Sequence, residues 1–203
     1  MFGKEELKIV NQLNNPFKLQ EYINSLEYNA DKRVSVSDII KYKKADCMEA
    51  AVFAVLVLKH HGYDAFLIDL EAVRDEDHVL VVYKKEGRYG SVAQSKFLNL
   101  RQRMPVYSSI RELVMSYFDN YFNFYGELAL RAYSEPVKID TLVKQQGIKS
   151  VKMINAVEKE LQRVKHQKLV DELKLPKVSY KKFWSEVDIT PGYVKIGNRY
   201  AKK

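Results

Sequence analysis

The sequence predicts an α+β fold: N-terminal helices packed on an antiparallel sheet, followed by a basic helical C-terminal extension. Three observations carry it. Residues 50–58 form the longest apolar run, too short to span a membrane but suited to a buried helix. Residues 64–70, 78–83 and 89–93 read as strands, the last two folding back around Lys85-Glu86-Gly87-Arg88 as an antiparallel hairpin. The net charge of +8 is unevenly placed: residues 1–148 hold 20 Lys+Arg against 20 Asp+Glu, and residues 149–203 hold 14 against 6.

Each element has a local reason. Residues 5–13 form a short helix ended by Asn14-Asn15-Pro16, and Pro16 opens a second helix with Phe17, Leu19, Ile23 and Leu26 as its apolar stripe. Tyr28 to Asp31 is a loop, and residues 35–40 make a helical turn with Ser35 and Asp38 available for capping. Asp46 and Glu49 form an aspartate version of the capping box, which places Cys47 at the first helical position. That helix stops at His60-His61-Gly62. Residues 97–106 read as irregular, and a helix starts at Ser109 and runs to Phe118 or on to Tyr125, within a dense aromatic segment of core type. Beyond Pro136 the character changes. Residues 139–146 and 152–173 are helical, the second with a narrow stripe of Ile154, Val157, Leu161 and Val164. Residues 177–192 read as irregular, and 193–196 as a strand.

A length of 203 residues with 46% hydrophobic and 30% charged side chains describes a globular chain able to bury a core, not a disordered one. The division drawn from the change in character is 1–136 for the main domain and 137–203 for the extension. The single cysteine excludes an internal disulfide and a thiolate-rich metal site, and makes a reducing, cytoplasmic setting the default. The N-terminus has early acids and no signal-peptide core, and no membrane association is expected. An acidic partner or nucleic acid would meet residues 149–203; the plainer reading is a solvated basic tail.

The chemistry centres on Cys47. A thiol at a helix start meets unpaired N–H groups that stabilise a thiolate, and a nearby imidazole can take its proton. His78, at the start of the hairpin's first strand, is the candidate. The plainer alternatives are an inert core thiol and a surface histidine in an acidic turn. Asp75, Glu76, Asp77 and His78 do not read as a metal site, because neighbouring residues on a strand point opposite ways. His60 and His61 read as helix C-terminal cations, and His166 needs no special role.

Asp46-Cys47-Met48-Glu49-Ala50-Ala51, the helix end His61-Gly62-Tyr63-Asp64-Ala65, Asp77-His78-Val79 and Gly87-Arg88-Tyr89-Gly90 follow one another in an order that resembles the transglutaminase-like superfamily, a papain-like core. The remainder of the chain to about Pro136 looks like an uncharacterised prokaryotic branch of it. The resemblance implies a Cys-His-Asp triad attacking an amide carbonyl, with Cys47 as nucleophile, His78 as general base, a protein or peptide amide as substrate, and no cofactor. The third position departs from the pattern, since Gly90 to Ser95 contains no carboxylate. Hairpin geometry points to the same place: with the turn at Glu86 or between Glu86 and Gly87, Gln94 or Ser95 lies opposite His78. Gln94 could orient the imidazole through its amide oxygen, as asparagine does in papain-like sites. Tyr28 and Asn29, in the loop before the cysteine helix, are candidates to line the cleft. Loss of the carboxylate also permits a silent binding module that has kept the fold. Substrate identity, hydrolysis against transfer, and oligomeric state are not legible.

Overall fold

A helix that is apolar on every side must be buried on every side, and the architecture follows from that requirement. The computed structural model describes residues 2–123 and 125–170, with the backbone of 193–196 and 199–202. The chain opens with α1 (Lys4–Val10), α2 (Pro16–Asn24), β1 (Glu27–Tyr28), α3 (Val36–Tyr42), β2 (Lys44–Ala45) and α4 (Cys47–His60). The sheet strands β3 (Ala65–Ala72), β4 (His78–Lys85), β5 (Arg88–Val92) and β6 (Arg103–Tyr107) follow, then α5 (Ile110–Phe118) and β7 (Leu130–Ser134). Helices α6 (Asp140–Gln146) and α7 (Val151–Arg163) lead to β8 (His166–Lys168), and β9 (Tyr193–Ile196) pairs with β10 (Arg199–Lys202).

In α4 every residue from Met48 to Leu58 is buried. The helix lies on a six-stranded antiparallel sheet of order β6-β5-β4-β3-β7-β8. Strand alternation divides the core. Leu67, Val79, Val81, Tyr83 and Val92 pack toward α4, whereas Phe66, Ile68, Leu70, Leu80 and Val82 pack toward Leu113, Val114 and Tyr117 of α5. Mixed α+β architecture is therefore as expected.

The local signals that predicted the first half hold in detail. Asn15 caps α2 by accepting the Phe17 and Lys18 N–H groups, both at 3.0 Å, and Ser35 caps α3 by accepting the Asp38 N–H at 3.2 Å. Between β4 and β5, Glu86 and Gly87 both have positive φ, +50° and +78°, the two-residue turn that suits the twist of a hairpin.

Three strands of the six-stranded sheet are absent from the sequence reading: β6, β7 and β8, the last falling inside the helix read over 152–173. β6 is RMPVY, and Pro105 argues against a ladder; it is tolerated because β6 is the edge strand, with Met104 and Val106 facing outward. Gly90 lets it approach, since a Cβ there would lie 2.7 Å from the Tyr83 hydroxyl and 2.9 Å from the Pro105 nitrogen. β7 sits behind the aromatic segment, and α5 ends at Phe118 rather than continuing to Tyr125.

The expected extension joins the main core. Met153, Ile154, Val157 and Leu161 of α7 pack in the same cluster as α4, and β8 pairs with β7 through Tyr133 and Gln167. α7 ends at Arg163 rather than near residue 173, because the positions following Leu161 on its stripe include Lys165 and Lys168, which have nothing apolar to bury. Strand 193–196 is present; residues 177–192, read as irregular, lie outside the described residues. Among the described residues no helix is long and apolar enough to cross a membrane.

Candidate active site

Cys47 opens α4 because the residues before it are held by reciprocal hydrogen bonds. The Glu49 N–H donates to Asp46 Oδ1 at 2.7 Å, and the Asp46 N–H donates back to Glu49 Oε2 at 2.8 Å. Glu49 is fully buried and does more than cap the helix. Its Oε1 accepts the Val34 N–H at 2.6 Å, and the Asn29 amide donates to both its oxygens at 3.0 and 2.9 Å. The parallel pair β1–β2 adds a backbone tie, aligning Tyr28 with Ala45, two residues before the cysteine.

These bonds separate the two residues predicted to line the cleft. Tyr28 does line it, beside Cys47. Asn29 does not appear among the lining residues; its side chain holds Glu49, the Lys32 carbonyl at 3.2 Å and the Asp31 N–H at 3.2 Å. It is part of the support beneath the helix start.

His78 begins β4, and the backbone N–H groups of the next residue, Val79, and of Met48 act to lower the Cys47 thiol's pKa. Cys47 and His78 line one small cavity of about 50 Å³, together with Tyr28, Ser95, Phe97, Leu100 and Tyr121. No direct hydrogen bond joins the two. The imidazole Nε2 lies 2.8 Å from the Leu100 carbonyl oxygen. A carbonyl only accepts, so the neutral ring carries its proton on Nε2 and leaves Nδ1 as the basic nitrogen. Burial, against the pull of the Leu100 carbonyl, takes the His78 pKa down to about 4.

Gln94 does not orient this ring. Its Nε2 donates to the Ile23 and Leu26 carbonyls at 3.1 and 3.4 Å, and its Oε1 accepts the Ser95 N–H at 3.0 Å. The hairpin explains the difference. The pairs Lys85–Arg88 to Val81–Val92 extrapolate to Ser95 opposite His78, but the ladder stops at Val92 and the chain turns. The loop 95–101 is held by Arg101, which donates to the Ser95 carbonyl at 3.1 and 2.9 Å and so brings the Leu100 carbonyl to the ring.

The thiol is also different from the expectation for a helix start. Burial pushes it up to about 12, and the adjacent Asp46 carboxylate adds to the rise, overcoming the two backbone N–H groups. A larger hollow of about 430 Å³ adjoins the first and shares Cys47 with it. Its wall is acidic: Asp46, Asp69, Asp75, Glu76 and Asp77 line it. Burial raises Asp46 and Asp75 to about 6, and burial with the nearby Asp77 raises Asp69 to about 7. Asp69 pairs with Val79 across the sheet and faces His166 Nε2 at 3.5 Å, giving His166, on β8, a partner that the sequence reading did not assign. Strand alternation was the available signal for Asp69, which falls on the same face as Leu67. No local signal marks the Leu100 carbonyl.

No group of three or more His, Cys, Asp or Glu residues among those described is arranged to hold a metal ion. No family model matches the chain, and no curated protein is significantly similar to it.

Proposed function

We propose that the chain is a thiol-dependent amide hydrolase or acyl transferase with Cys47 as nucleophile and His78 as base. The observation that carries this reading is the shared cavity: a helix-start thiol and a strand-start imidazole line it, with Nε2–H held by a backbone carbonyl. Its resemblance to the transglutaminase-like core supports the same assignment. In this reading the Cys47 proton passes to His78 Nδ1 as sulfur attacks the amide carbon. The tetrahedral oxyanion draws on the Cys47 N–H, one of the donors a helix start leaves without an intrahelical partner. The C–N bond then breaks, the imidazolium returns the proton to the leaving amine, and water or a second amine resolves the thioester.

With the thiol near 12 and the imidazole near 4, the resting pair is neutral. Proton transfer therefore accompanies attack and does not precede it. The same neutrality favours the alternative, a catalytically silent module of this fold, which contacts an acidic partner through its basic region. Burst kinetics with p-nitrophenyl acetate separate the two. The enzyme reading expects a stoichiometric burst and an acetyl group on Cys47, abolished in Cys47→Ser and slowed about 10²-fold or more in His78→Ala. No burst, with Cys47 still open to alkylation, would establish the silent module.

A further inference from the structure

The chain is basic overall, yet the hollow around Cys47 is walled by carboxylates. Arg33 also lines it, and its guanidinium is engaged by Glu158 at 2.7 and 3.0 Å. Acidic walls alone would say little. Two other observations bear on what enters. His78 is only 5% exposed, lines the adjoining cavity with Asp75, Glu76 and Asp77, and keeps Nδ1 without a hydrogen-bond partner. Lys96 supplies the second. Its Nζ stands 5.0 Å from the Tyr28 ring centroid and 3.7 Å from Glu76 Oε2. An alkylammonium thus fits between an aromatic face and a carboxylate at the mouth of the site.

We propose that the Cys47 site selects a cationic substrate: an amide carrying an alkylammonium or guanidinium group, as in a basic peptide, which displaces Lys96 and seats against Tyr28, Asp75 and Glu76. This rests on the acyl-transfer reading above and adds the substrate's charge to it. The physical reason is twofold. A low-dielectric cleft lined by one sign of charge concentrates the opposite sign. The carboxylates also disfavour a thiolate at Cys47, so a bound cation offsets that repulsion when sulfur must become nucleophilic. An anionic substrate would meet the same wall as a barrier.

The test uses the full chain and three methanethiosulfonate reagents of similar size, bearing trimethylammonium, neutral or sulfonate ends. Cys47 is the only cysteine, so modification reports that site alone. The trimethylammonium reagent is expected to react at least about tenfold faster than the sulfonate at low salt, with the ratio falling as salt screens the wall. Asp75→Asn with Glu76→Gln should cut that ratio severalfold. Glu76→Gln alone, at a side chain 82% exposed, should lower it in the same direction without disturbing the fold. Lys96→Met should raise the rate of the cationic reagent. Equal rates for the two charged reagents, or a ratio unmoved by the substitutions, would overturn the proposal. His78→Ala separates the two readings: it should slow the acetyl-transfer burst about 10²-fold or more while leaving the charge ratio intact.

Discussion

The two charged regions of this molecule are built on opposite terms. Around Cys47 the carboxylates are packed: Glu49 and Asp69 are buried, Asp46 and Asp75 half-buried. Along α6 and α7, Lys144, Lys149, Lys152 and Lys159 are all exposed. Water solvates the lysines, so their charge costs the fold little. These four acids are held out of water wholly or in part, whereas Glu76 and Asp77 of the same wall are exposed, and burial raises the pKa values of Asp46, Asp69 and Asp75. Charge kept where it is unfavourable is what the proposed site relies on; charge spread where water reaches it reads as surface. A count of residues reports the second region and hides the first.

That contrast can be broken at three places. The largest effect is expected at Glu49, whose carboxylate holds Asn29, Val34 and Asp46. Glu49→Ala leaves buried donors unpaired and should cost about 3 kcal/mol or more in urea unfolding. Next is Asp75, whose pKa burial raises from 3.8 to about 6. The folded form then binds more protons than the unfolded one between those values, so this group loses stability as pH rises through them. Asp75→Asn should stabilise by about 1 kcal/mol at pH 8, after allowance for partial solvation. The gain should vanish at a pH below both values. The smallest effect belongs to the basic region: Lys152→Gln with Lys159→Gln should change stability by less than about 0.5 kcal/mol. A larger change there would mean that α7 uses its charges as well as its apolar stripe.

The parts legible in the sequence are those fixed by near neighbours. The Asp46–Glu49 capping box, the Pro16 helix start and the Glu86-Gly87 turn are each specified within a few residues, and each has the expected geometry. Helix α4 is legible for a related reason, because its apolar run leaves burial as the only outcome. The failures depend on distance. β6 contains a proline that only an edge position tolerates, and nothing nearby says that it is an edge. Asn29 reads as a loop residue facing a cleft until Glu49, 20 residues on, is seen to take its amide. Gln94 has the right chemistry to orient His78, but the end of the ladder sends its side chain toward Ile23 and Leu26. Asp69 reaches the wall through pairing of β3 with β4, and residues 75–77 join it there.

The Leu100 carbonyl has a consequence for how this site can vary. Every amino acid contributes the same carbonyl, so no codon change deletes it, and on the proposed reading a systematic side-chain scan would return Cys47 and His78 with no third member. Substitutions at Leu100 itself would be read as packing defects. Inherited change reaches the contact by another route, through the length of the segment between Ser95 and Arg101. One residue inserted or removed there would carry the oxygen away from His78 while leaving the codons for Cys47 and His78 untouched.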